Sequence, residues 1–165
     1  WTGAARAVTV FDSNADGADN GTLFQRMLGV PNVAAIAFTT DGDVFGVFYQ
    51  EPITETRKYF NAPDMFVFSF EAHGRCETPT QFFLREECRE TASLALWTNQ
   101  TQSFIFVGKR SAGFCLGCGG TRLCSKNVSM MFEGIEDTTL TGKNGGWNGN
   151  EFYGCTRLVV VRLVF

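Results

Sequence analysis

Histidine is almost missing from this chain: His73 is the only one. A Ser–His–acid triad needs an imidazole beside a nucleophile. No Gly-x-Ser-x-Gly elbow accompanies it. His73 is therefore expected to be a solvated turn residue beside Gly74 rather than a catalytic base. Positive charge is also short, with 14 Lys and Arg against 17 Asp and Glu and a net charge of −3. The basic residues are dispersed, which argues against nucleic-acid binding. No apolar run approaches the about 20 residues that a bilayer-crossing helix requires. The glycine cluster Gly117-Cys118-Gly119-Gly120 lacks the Gly-Lys-Ser/Thr ending of a phosphate loop. The carboxylates are many, but no spacing pairs two of them across a cleft. An enzyme is not expected, and no cofactor is implied.

What the chain does have is phenylalanine, 17 of them among 165 residues. Phe in short alternating runs favours a layered β core over a helical bundle. The length suits one domain with a substantial core, so residues 1–165 are read as a single domain. The sequence opens on Trp1 rather than Met, and a piece cut from a longer protein is the expectation. Six cysteines and three Asn-x-Ser/Thr tripeptides (at Asn20, Asn99 and Asn127) would suit secretion. A chain of this size and Phe content needs no disulfide staples, and reduced thiols in an intracellular, cytoplasmic setting are expected.

The stretch from Val33 to Pro52 organises the rest. Val33-Ala34-Ala35-Ile36-Ala37-Phe38 and Val44-Phe45-Gly46-Val47-Phe48-Tyr49 flank Asp41-Gly42, which suits a two-residue type I′ hairpin turn. Gly46 within the second strand indicates a bulge or a close backbone approach. Proline at 52 ends the strand. Upstream, Val8–Phe11 reads as a strand. A helix follows at Thr22–Leu28, with Leu23, Phe24, Met27 and Leu28 on one stripe, Asp19 or Asn20 as cap and Gly29 as the C′ residue.

Downstream, Phe66, Phe68 and Phe70 alternate onto one face, which reads as a core strand. Leu94–Trp97 and Phe104–Val107 read as a second hairpin, and Phe114–Leu116 as a short strand. Residues 85–91 read as a solvated charged turn or an exposed helical turn, and Val128–Phe132 could extend the sheet. Residues 138–149 read as a mobile glycine-rich loop, and Leu158–Phe165 as a closing strand. The sum is a mainly β (α+β) fold: an antiparallel β-sandwich of about ten short strands flanked by one or two short helices.

Two constellations are candidates for metal. Asp12, Asn14, Asp16 and Gly17 fit the first half of a calcium loop of the EF-hand type, but Asp19 and Leu23 break its second half and no helix precedes it. A turn-rich connection is the alternative. Cys115-x-x-Cys118, with Cys124 and the distant Cys155, could close a four-thiolate zinc site, but two close pairs are lacking. Structural thiols or disulfides are the alternatives.

The segments Val10-Phe11-Asp12-Ser13-Asn14-Ala15-Asp16-Gly17, Thr39-Thr40-Asp41-Gly42-Asp43-Val44-Phe45-Gly46-Val47-Phe48 with Glu51-Pro52, and Asp64-Met65-Phe66-Val67-Phe68-Ser69-Phe70 together resemble the TLDc domain family. The part from Phe114 to Cys124 is similar to divergent members found in amoebae. The first half matches more closely than the second, and the closing Leu163-Val164-Phe165 departs from the family's Trp-Gly/Ala-Phe ending. The resemblance implies a β-sandwich that is not an enzyme, associates with the vacuolar proton pump and protects against oxidative damage. It carries over no catalytic residue.

The leading expectation is thus a non-catalytic protein-interaction domain with a protein partner such as subunits of that pump, docking through exposed aromatics. An oxidation-responsive module using Cys115 and Cys118, and a weak calcium-binding sandwich using residues 12–19, are the alternatives.

Overall fold

The hairpin expected at the centre forms where its two apolar runs lie. Strand β2 (Val33–Thr39) pairs antiparallel with β3 (Val44–Tyr49), from Val33 opposite Tyr49 to Phe38 opposite Val44. The computed structural model describes residues 1–17, 21–98, 103–109, 112–117, 120–123, 127–144 and 152–165. Within it the turn differs from the expected type I′. That type needs positive φ at both central residues, whereas of Asp41 and Gly42 only Gly42 has it, at 88°. Thr39 accepts from Gly42 N at 3.1 Å, and its own N donates to Asp43 O at 2.9 Å. This is the three-residue loop in which one left-handed glycine closes the turn.

Gly46 makes a close approach rather than a bulge, since the β2–β3 register is unbroken there. A Cβ at Gly46 would stand 2.1 Å from the Ala35 carbonyl oxygen and 2.6 Å from Phe68 Cζ. The register shift lies one step away, between Val44 and Phe45, where β3 meets β5 (Phe66–Glu71).

Two antiparallel sheets form around this hairpin. In the first, β1 (Arg6–Asp12), β11 (Phe152–Val164), β2, β3, β5 and β6 (Thr80–Phe83) lie in that order, and β10 (Gly120–Leu123) also pairs with β11. The second orders β4 (Phe60–Asn61), β7 (Ser93–Thr98), β8 (Ser103–Lys109) and β9 (Ala112–Leu116). Among the described residues these are eleven strands, accompanied by two short helices, α1 (Ser13–Asp16) and α2 (Thr22–Met27). The sandwich read from the sequence is the fold. The expected second hairpin is β7–β8, in register from Ser93 opposite Gly108 to Thr98 opposite Ser103.

The main core lies between the sheets. Val33, Ala35, Ala37, Phe45, Val47 and Val67 meet Leu94, Leu96, Ile105, Val107 and Phe114 there. Phe45 meets Phe114 edge-on across the layers at 5.8 Å, and Tyr153 at 5.3 Å. Each fully buried side chain of this size contributes roughly 1.5–3 kcal/mol. Helix α2 closes one end with Leu23 and Met27, four residues apart on one face. Leu28 falls just past its end, and Gly29 then takes φ 75°. The expected caps, Asp19 and Asn20, lie outside the described residues.

Five expectations are corrected. Phe66, Phe68 and Phe70 do share a face, but it is the outer one: Val67 enters the main core, whereas Phe66 and Phe68 cluster separately with Ala34 and Phe48. Residues 128–130 form a 3₁₀ turn rather than a strand, with one bridge from Phe132 to Leu84. The charged stretch at 85–91 takes the helical-turn alternative, a 3₁₀ turn at Glu86–Cys88, but it is not wholly exposed, because Cys88 is buried. Residues 138–144 are no loose loop: Leu140 sits in the core, and Thr139 and Thr141 are buried. Residues 145–149 lie outside the described residues. The closing strand starts earlier than expected, at Phe152, and only Leu158, Val160 and Tyr153 along it are fully buried.

Candidate functional site

The hairpin turn delivers a carboxylate into the protein. Asp43 is 2% exposed, and its Oδ1 accepts from Arg75 Nη2 at 2.5 Å and lies 2.9 Å from His73 Nδ1. Its backbone N donates to Thr39 Oγ1 at 3.0 Å. Arg75 Nε donates to the Thr139 carbonyl at 3.0 Å. Lys143 pairs with Asp41 at 3.1 Å. Three segments distant in sequence are therefore tied by one buried charge: the β2–β3 turn, the β5–β6 connection and residues 136–143. A buried carboxylate is tolerable only when paired and hydrogen-bonded, and here a guanidinium supplies that.

His73 is thus more than a solvated turn residue. Its left-handed φ of 49° and its bond from N to Glu71 Oε1 at 2.7 Å aim the ring at Asp43. The other side of the ring faces Gly42, where a Cβ would come within 3.2 Å of Nε2. Among the described residues, no nucleophile bonds that Nε2. Nothing in the sequence joined Asp43, His73 and Arg75, which stand 30 and 32 positions apart. The only available signal was an Asp placed directly after a turn and at the start of a buried strand. Beside this cluster is a cleft of about 370 Å³ lined by Arg75, Cys76, Thr80, Phe82, Thr138 and Thr139 among others.

The calcium candidates are brought together, but on arginines. Asp12 caps α1 by accepting from Asn14 N at 3.0 Å. Both Asp12 oxygens also meet Arg157, through Nε at 3.0 Å and Nη2 at 2.5 Å. The fork-to-fork hydrogen bonds from Arg157 hold the Asp12 carboxyl below its usual value, and the Asn14 N–H adds to this. Asp16 accepts from Asp12 N through Oδ2 and pairs with Arg26 at 2.8 Å through Oδ1. Ser13 Oγ accepts from Leu158 N at 3.0 Å. The loop therefore pins the end of β1 to the middle of β11.

The zinc candidates are divided where they can be placed. Cys115 lies with Ala95 and Phe106 in a cluster on the outer side of the second sheet, whereas Cys155 packs against the main core. Cys118 and Cys124 lie outside the described residues. Among the described residues, no disulfide joins Cys76, Cys88, Cys115 or Cys155 to another of them. Among the described residues, no three His, Cys, Asp or Glu gather as a metal site.

An apolar face also lies open on the first sheet. On the outer face of the first sheet, Phe48 packs on Phe66 at 5.1 Å, Phe68 on Phe70 at 4.8 Å and Phe66 on Phe83 at 5.6 Å. Phe70 and Phe83 remain 43% and 53% exposed. These rings come from alternate positions on neighbouring strands, so the pleat itself builds the patch. Exposed aromatics gathered in this way mark interaction sites more often than scattered ones do. The second sheet also has an outer aromatic cluster, in which Tyr59 meets Trp97 at 6.0 Å and Phe106 at 5.7 Å.

Compared with known families, the chain matches the model of the TLDc domain over residues 3–144. No curated protein matches the chain. Among the described residues, no helix is long and apolar enough to cross a membrane.

Proposed function

Because the chain belongs to the TLDc domain family, we propose that it is a non-catalytic protein-interaction domain, that it docks on the vacuolar proton pump from the cytosolic side, and that its part in oxidative-stress protection runs through that contact. The observation that carries this reading is the outer aromatic face of the first sheet, where Phe70 and Phe83 stand exposed over a layer of buried rings. The polar clusters support it as well. Asp12 is committed to Arg157, and Asp43 to Arg75 and His73, so these charges hold the scaffold instead of facing a substrate. Aromatic anchors set in a rigid sheet suit docking, since little side-chain freedom is lost on binding.

The test is direct binding of the purified peripheral sector of the pump to the 165-residue chain, measured by biolayer interferometry. Binding on the order of 10 µM or tighter, weakened tenfold or more by Phe83→Ser, is the expected result. No binding of the sector at such concentrations would overturn the pump assignment.

A further inference from the structure

The aromatic face already has an occupant at one end. Ala5 N donates to Val164 O at 2.8 Å, which anchors the N-terminal segment at β11. From there the chain turns at Gly3, whose φ is 73°, and Ala4 N meets Thr2 Oγ1 at 3.4 Å. Trp1 ends up over β5, stacked on Phe70 at 5.4 Å with an interplanar angle of 18° and tilted on Phe68 at 6.2 Å. Residues 1–5 lead out of β1 and the sheet order is β1, β11, β2, β3, β5, so they cross three strands to reach it. Trp1 and Thr2 line a trough on this face together with Ala34 and Ile36. Ala34 and Gly46 lie on this face, with Phe48, Phe66 and Phe68 on one side and Val161 and Leu163 on the other. The resulting trough holds about 210 Å³, and among the described residues no charged side chain lines it.

The fit of the arm is partial. Trp1 is still 60% exposed, and among the described residues its ring contacts are with Phe68 and Phe70, not with the Phe66–Phe83 end. A stacked aromatic pair contributes only about 0.5–1.5 kcal/mol beyond the area it buries. That is enough to favour the seated arm and little enough to be displaced. The arm's indole also shows which chemistry the trough accepts: an uncharged, extended segment carrying an aromatic side chain.

We propose that residues 1–5 form a displaceable strap over this trough, and that the docking partner is an extended peptide segment whose aromatic side chain takes the place of Trp1 on Phe70. This rests on the reading of the chain as an interaction domain and names what that surface binds. The strap acts as a competing intramolecular ligand, so the partner's apparent affinity falls by the fraction of molecules in which the trough is open. Weakening the strap should then strengthen binding, the opposite of what loss of a contact residue does.

The probe is the acetylated, amidated peptide Trp-Thr-Gly-Ala-Ala, titrated into the 165-residue chain and followed by the methyl NMR signals of Ala34 and Ile36. Those signals should move, and Trp1→Ala should bind the peptide at least about threefold more tightly than the unaltered chain. Phe70→Ala, at an exposed position, should abolish the shifts while the remaining spectrum stays folded. Equal affinity of the unaltered and Trp1→Ala chains would overturn the strap. An absence of shifts in both at millimolar peptide would overturn the trough as a peptide site. Self-association of Trp1→Ala without peptide binding would overturn it too, and would identify a second copy as the occupant. Pump-sector binding indifferent to the peptide and to Trp1→Ala would overturn this inference while leaving the proposed function standing. Peptide binding without pump-sector binding would overturn the pump assignment alone.

Discussion

Phe68 lies over Gly46 so closely that the two positions constrain each other: a Cβ at Gly46 would stand 2.6 Å from Phe68 Cζ. The Ala35 carbonyl oxygen is nearer still, at 2.1 Å. Gly46→Ala should therefore cost about 3 kcal/mol or more, because a backbone group and a ring would both have to move. Chemical denaturation measures this. In a Phe68→Ala background only the ring conflict is relieved, so the penalty should shrink and not vanish. An unchanged denaturation midpoint in Gly46→Ala would show that the strands can separate without cost.

Acid should release the clamp between β1 and β11. The Asp12 carboxyl ionises more readily when folded than its ordinary value of 3.8, chiefly through its hydrogen bonds from Arg157. The unfolded chain then binds a proton first as the pH falls, so this stabilisation is complete above the ordinary value and drains away below it. Asp12→Asn should melt below the unaltered chain at pH 7, and the difference should narrow as the pH drops below 3.8. A difference that is constant across that range would mean that the clamp carries no charge-dependent stability.

Tyr49 gives a second, alkaline limit. Its hydroxyl is fully buried without a hydrogen-bond partner among the described residues, and burial raises its pKa far above the ordinary 10.0. Above pH 10 the unfolded chain loses this proton while the folded chain keeps it, so stability falls as the pH rises. Tyr49→Phe should remove that part of the alkaline loss and should leave stability at pH 7 unchanged or raised by about 1 kcal/mol. A clear loss of stability at pH 7 would show that the hydroxyl is satisfied.

Thiol labelling of the native chain should follow burial. Cys76 and Cys155 are half-buried, whereas Cys88 is 1% and Cys115 7% exposed. Alkylation mapped by peptide mass spectrometry should reach Cys76 and Cys155 first and leave Cys88 and Cys115 until the chain unfolds. Early modification of Cys115 would instead favour the oxidation-responsive reading of the chain.

Strand positions were legible in the sequence because the period of two is local: the β2–β3 and β7–β8 hairpins stand where alternation and turn residues placed them. Which face points inward was not. At Phe66–Phe70 the bulkier set faces out, because Val67 and its neighbours are what fit between the sheets while Gly46 leaves room outside for Phe68. The Asp43–Arg75–His73 cluster was hidden for another reason. Asp43 belongs to one connection and His73 and Arg75 to another, and they meet only after the strands have paired. The trough was half visible, as three alternating phenylalanines whose surroundings only the fold could supply.

Strand β11 pairs with β1 and β10 along one edge and with β2 along the other. Residues 6–12 and 33–39 are both made before the strand that joins them, which follows more than 100 residues after the second. At the ribosome, β1 and β2 must therefore wait with the edges that β11 will join unpaired. Closing contacts over such separations is slow, and open edges of this kind invite wrong partners. This chain should accordingly depend on chaperone protection until residues 152–164 emerge, and refold more slowly in isolation than a domain of its size with locally paired strands.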